Sequence, residues 1–151
     1  MSSEPRIALI RLLDAGFDAF SEELARRLAQ TPYNDIRATH GCVFGNIEPE
    51  GSRLTDLAER AHMTKQTVGE VATELERRGY LERVPDPSDG RAKIIRLTKR
   101  GRAAQSLGRE IIGDIEQEWA ERFGAERVGA LREALEMITA EQLGRVPVVS
   151  S

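Results

Sequence analysis

The sequence has one cysteine, Cys42, and two histidines, His40 and His62. A lone cysteine excludes an internal disulfide framework and a cysteine-rich zinc site. Two histidines leave few candidates for metal ligation or acid–base chemistry. Aromatic residues are sparse, at four Phe, two Tyr and one Trp, and Tyr80 is the sole aromatic between Arg53 and Arg102. That argues against the stacking platforms that bind single-stranded RNA. Long apolar runs are missing too. The longest uncharged interior run, Ala38 to Ile47, is half of the roughly 20 residues a membrane-spanning helix needs. Glu4 and Pro5 interrupt the start where a signal peptide has its apolar core. No nucleophile–base pair, phosphate-cradling glycine loop or metal-spaced cluster is visible. The expectation is a soluble, cytoplasmic, single-domain protein that is not an enzyme and needs neither cofactor nor metal.

What is present begins with charge. The formal net charge of the 151 residues is -3, but it is unevenly spread. Between Arg53 and Arg102 there are twelve Lys and Arg against eight Asp and Glu, and all three lysines fall in this span. A basic middle between acidic ends suits a module that faces a polyanion.

Apolar periodicity then divides the chain. Ile7, Ile10, Leu13, Phe17, Phe20, Leu24 and Leu28 recur at spacings of three and four, which predicts a helix from about Arg6 to Gln30. Thr31-Pro32 stops it. Ile36, His40, Val43, Phe44 and Ile47 predict a second helix over 34–47, followed by a turn at Pro49-Glu50-Gly51-Ser52. Leu54, Leu57, Ala58 and Ala61 mark a short helix, broken at His62-Met63. His62 falls where a positive φ is expected, and histidine tolerates that region better than most residues. Thr64 then caps a helix whose inner stripe is Val68, Val71, Ala72 and Leu75 and whose end is Arg78-Gly79. Two short helices with so tight a break read as a helix-turn-helix.

Two β-prone runs, Tyr80–Val84 and Arg91–Leu97, flank a loop over Pro85–Gly90 and read as a hairpin, a wing on the helix-turn-helix. Thr98 caps a long helix with Ala104, Leu107, Ile111, Ile115 and Trp119 on one side, in which Gly108 and Gly113 are candidate bends. After Phe123-Gly124, a last helix carries Val128, Leu131, Leu135, Ile138 and Gln142 and ends at Gly144 and Pro147. The fold class is therefore mainly α with a small β-hairpin wing.

A helix in the DNA major groove reads base edges with its N-terminal residues. The residues so placed are Thr64, Lys65, Gln66, Thr67 and Glu70. Lysine can donate to guanine O6 and N7, glutamine can pair with adenine, and threonine can reach phosphates or a thymine methyl. Glu70 suits cytosine N4 or a neighbouring arginine. In the wing, Asp89 stands two residues before Arg91, where a carboxylate can orient a guanidinium for entry into a narrow minor groove. Lys93 and Arg83 on the strands are expected to add phosphate contacts.

Leu54–Ala61, Met63–Val68, Leu75–Arg83 and Asp86–Lys93 through Leu97-Thr98 together resemble the MarR family, the multiple-antibiotic-resistance regulators. The resemblance is strong from about Ile36 to Ala104. It implies one MarR-like domain over 1–151, with dimerisation helices at 6–33 and 104–144 and a winged helix-turn-helix at 36–102. It further implies an obligate homodimer on a palindromic double-stranded operator, controlling transcription, usually by repression that a small, often aromatic ligand relieves. Gly90 departs from the family, which often has Asp-Arg-Arg at the wing tip. The resemblance also implies an effector cavity between the first, second and fifth helices, which Phe17, His40 and Phe44 are placed to line. Some relatives use a peroxide-sensing cysteine near the start of the first helix; Cys42 lies elsewhere and reads as inert. The alternative reading is a winged-helix protein-interaction module that does not read bases.

Overall fold

The structure, a computed structural model, describes the backbone of residues 5–143 and the side chains of residues 5–140. The chain divides into two compact units, Met1–Ala38 and Thr39–Ser151.

The first unit contains α1, Leu9–Leu28. It starts three residues later than the periodicity predicts, and no side chain caps its N-terminus at Ala8. Leu28 alone of its residues is buried; Ile10 is 75% exposed and Phe17 70%. After the helix, the Thr31 hydroxyl donates to the Leu28 carbonyl and accepts the N–H of Tyr33, so Thr31-Pro32 forms a turn, as expected.

The predicted helix over 34–47 is much shorter. A 3-10 turn over Ala38–His40 runs into α2, Gly41–Phe44, while residues 32–35 form turns. α2 carries a glycine at each margin, Gly41 and Gly45, the worst helix formers after proline. The inner face is nonetheless as read: His40, Val43 and Ile47 are buried.

The helix-turn-helix forms where the sequence places it. α3 spans Leu54–Ala61 and α4 spans Lys65–Arg77. His62 ends α3 in the left-handed region, at φ 52° and ψ 40°. The Thr64 hydroxyl accepts the Thr67 N–H at 3.1 Å, which caps α4, and Gly79 turns the chain out at φ 83°. Leu57, Val68, Ala72 and Leu75 fill the core between the two helices and are all but inaccessible to solvent. Burying side chains the size of Leu57, Val68 and Leu75 contributes about 1.5–3 kcal/mol each.

The hairpin is tighter than the expected loop over Pro85–Gly90. β1, Leu81–Asp86, pairs antiparallel with β2, Asp89–Leu97, leaving only Pro87 and Ser88 as the turn. Proline at the first corner of a turn fixes φ for it, and the register irregularity falls between Pro85 and Asp86. Ser52 adds a one-residue third strand: its N–H donates to Ile95 O at 2.8 Å and its carbonyl accepts the Ile95 N–H at 2.9 Å.

α5, Lys99–Phe123, starts at Thr98, whose hydroxyl accepts the Gly101 N–H, and runs without interruption through Gly108 and Gly113. Gly124, at φ 102°, separates it from α6, Ala125–Leu143. Arg132 of α6 pairs with Glu116 of α5 at 2.6 Å. Leu131, Met137 and Ile138 on α6 are exposed. The expected terminators Gly144 and Pro147 lie outside the described residues, as does the side chain of Gln142. No helix among the described residues is long and apolar enough to cross a membrane.

Candidate nucleic-acid interface

The buried stripe of α4 leaves its opposite face outward. Lys65, Gln66 and Glu70 are exposed there and Thr67 is half-buried. The start of a helix carries free N–H groups and the positive end of the helix dipole, both favourable to an anion. Thr64 and Lys65 stand at that end. A shallow groove of about 710 Å³ runs along this face, with Lys65, Gln66, Gly69 and Glu70 near its head and Arg77 and Arg83 near its foot.

Side-chain bonds within the face sort its residues. The Thr64 and Thr67 hydroxyls lie 2.7 Å apart and bond to each other. Gln66 Nε2 donates to Glu70 Oε1 at 3.5 Å, so Glu70 meets Gln66, not the arginine that was the alternative partner. The other two carboxylates of α4 are held by cations: Glu74 takes Arg78, and Glu76 takes Arg83 Nε at 2.9 Å. Arg83 also donates to the Thr73 hydroxyl at 3.1 Å. Arg83, expected as a phosphate contact, is thus engaged with α4.

The wing corrects one expectation. Asp89 accepts the backbone N–H of Arg91 at 3.1 Å, which shapes the strand start, where a bond to the guanidinium was expected. The carboxylate that does grip a guanidinium is Asp86. Arg53 donates to Asp86 Oδ2 through Nε at 2.9 Å and through a terminal nitrogen, across 33 positions of sequence. Asp86 Oδ1 accepts the Ser88 N–H and hydroxyl, each at 2.8 Å. The Ser88 bonds and the Arg53 guanidinium together hold the Asp86 carboxyl down to about 2. Arg91 and Lys93 remain exposed on β2. Sequence reasoning missed Arg53 and Asp86, since only the closing of the hairpin brings them together.

Beneath the interface, Tyr80 is fully buried. Its hydroxyl accepts from Arg100 at 2.9 Å, the same guanidinium lies 4.5 Å from its ring centroid, and Phe44 meets it edge-on at 6.0 Å. His40, also fully buried, places Nε2 3.3 Å from Glu74 Oε2 on α4. Of the three residues expected around an effector, His40 and Phe44 are therefore packed on the α4 side of the core, while Phe17 is exposed on α1. Burial pushes the Cys42 thiol up, and its Sγ donates to Thr39 O at 3.2 Å. Both effects disfavour the reactive thiolate, in line with an inert cysteine.

Residues 35–92 match the family model of the MarR family. No curated protein matches the chain. Among solved structures, the reduced form of MarR from E. coli is 23% identical, with 89% of this chain and 98% of that chain covered, at a TM-score of 0.76. Streptococcus pneumoniae FabT in complex with DNA is 20% identical over 87% of this chain and 93% of that one, at 0.72. CouR from Rhodococcus jostii RHA1, bound to p-coumaroyl-CoA, is 23% identical over 84% and 88%, at 0.68. Residues 35–92 thus resemble the MarR family in sequence, and over most of its length the chain shares the fold of these solved structures, a helix-turn-helix with a hairpin wing between long helices.

Proposed function

We propose that the protein is a homodimeric, sequence-specific DNA-binding regulator of transcription that represses its targets until a small ligand releases it. The observation that carries this reading is the outward N-terminal face of α4: Lys65, Gln66 and Glu70 stand exposed around a capped helix start. Laid in a major groove, Lys65 donates to guanine or phosphate, Gln66 pairs with adenine, and Glu70 accepts from the amino group of cytosine. Arg91 and Lys93 on the wing reach the neighbouring minor groove and phosphates. The similar fold of FabT, crystallised in complex with DNA, supports the same use of these elements.

The dimer rests on the apolar faces. Leu9, Ile10, Leu12, Leu13 and Phe17 of α1 and Met137 and Ile138 of α6 are exposed, more apolar surface than a lone soluble chain ordinarily leaves open. A second copy covers these faces and sets two α4 helices on a palindrome, with half-sites roughly 34–36 Å apart. Ligand release follows the likeness to CouR, which holds p-coumaroyl-CoA, and Phe17, His40 and Phe44 are the side chains to substitute first.

Selection of duplexes from a random pool with the full chain tests the reading. The expected product is a palindrome whose affinity falls steeply with salt. Recovery of unrelated sequences bound no better than random duplex overturns it, and leaves the scaffold as a protein-interaction module.

A further inference from the structure

Arg83 ties β1 to α4, and a second tie, from the hairpin to the start of α3, runs through one short segment, Ser52-Arg53. The backbone of Ser52 pairs with Ile95 in both directions. Arg53 then opens α3 with its carbonyl, which accepts the Leu57 N–H at 3.1 Å, while its side chain turns to the hairpin and donates twice to Asp86 Oδ2. Asp86 is only 7% exposed and takes two further bonds from Ser88 on its other oxygen. Four hydrogen bonds, two to each oxygen, saturate this carboxylate at the last position of β1, directly before the two-residue turn. Arg91 and Lys93 follow just beyond that turn on β2.

We infer that Arg53 is a positioning residue for the wing: by gripping Asp86 it fixes the hairpin tip to the start of α3, so that Arg91 and Lys93 meet the DNA in register with α4. The inference rests on the DNA-binding reading above and adds to it the part that aligns the two reading elements. A two-stranded hairpin alone is marginal in water, and a wing free to swing has to be ordered on binding, at a cost in affinity. The charged bond to a shielded carboxylate is of the strong kind, and it couples residues 33 positions apart that no local turn would align. Arg53 keeps 45% of its side chain exposed, so a direct phosphate contact is the competing role, and the experiment separates the two.

The experiment is a double-mutant cycle in the full chain, read as affinity for the duplex recovered from the random pool. Arg53→Ala is measured alone and in a background carrying Arg91→Ala and Lys93→Ala. Positioning predicts that Arg53→Ala weakens binding about fivefold or more in the parent and less than about twofold once the wing cations are gone, which is the coupling expected of groups acting as one unit. An equal loss in both backgrounds overturns the inference, because a direct contact or a general loss of stability would be indifferent to the wing cations. Asp86→Asn, which keeps the shape and the Ser88 contacts but gives up the charge, serves as the second variant and is held to the same two outcomes. If removing Arg91 and Lys93 leaves affinity untouched, it is the wing's part in the proposed function that fails, and the inference with it. If those cations matter while Arg53→Ala has no effect in either background, the DNA reading stands and the inference alone falls.

Discussion

At the scale of single residues, the helix-turn-helix was legible because its signals are local. A threonine before a polar turn caps a helix, a histidine tolerates a left-handed φ, and a glycine after Arg78 leaves the helix; Thr64, His62 and Gly79 each do what the sequence says. Asp86 and Asp89 show the limit. Both lie in one acidic turn, and nothing local tells which carboxylate takes a guanidinium; that depends on Arg53 arriving from 33 positions away. Replacing Lys65 or Gln66 by alanine is expected to relax preference at one base position, costing about 1–3 kcal/mol of discrimination against the wrong base, as measured by repeating the selection. Gly101→Ala is a pure packing test: its Cβ would stand 2.1 Å from the Tyr80 carbonyl oxygen. That is backbone, so the chain must shift, and a loss of about 1–3 kcal/mol is expected by denaturant unfolding.

Among the elements, α1, α3 to α6 and the hairpin all exist where periodicity and turn chemistry place them, within a few residues. The exception is the helix expected over 34–47, where apolar spacing alone was persuasive but glycines at 41 and 45 bracket the α-helical stretch, Gly41–Phe44. The hairpin carries its own pH test. Asp86 is held at about 2 from an ordinary 3.8, by the Ser88 bonds first and Arg53 after them. A carboxyl lowered on folding stabilises the folded state above its unfolded value, and that contribution disappears as pH falls from about 4 through about 2. The stability gap between the parent and Asp86→Asn is therefore expected to be full at neutral pH and to close across that window, in thermal unfolding followed by circular dichroism. A gap that keeps its full size at pH 2 would show that something other than the charge of Asp86 separates the two proteins.

For the whole molecule, the acidic ends and the basic middle now have places: the basic span is the winged helix, and the helices outside it carry the exposed apolar side chains. The apolar stripe of α1 was legible as a helix, but not what covers it, since periodicity is identical for a face buried in its own chain and one buried by a copy. Sedimentation equilibrium is expected to give twice the 16.8 kDa of one chain. Phe17→Glu together with Ile10→Glu should shift it toward the single-chain mass, because each buries a charge in the proposed interface. DNA affinity should fall in step, through loss of the second half-site.

The seat of α5 against the end of the reading helix has a mechanical consequence. Thr98 gives its hydroxyl proton to the Gly79 carbonyl and its N–H to that of Tyr80, and Gly101 rides against the same peptide with no side chain between. Backbone so closely seated leaves little room to slide, so a displacement of α5 is expected to carry the end of α4 with it. If α4 reads an operator as proposed, whatever pulls on the far end of that lever acts on it through these backbone contacts rather than through any one side chain.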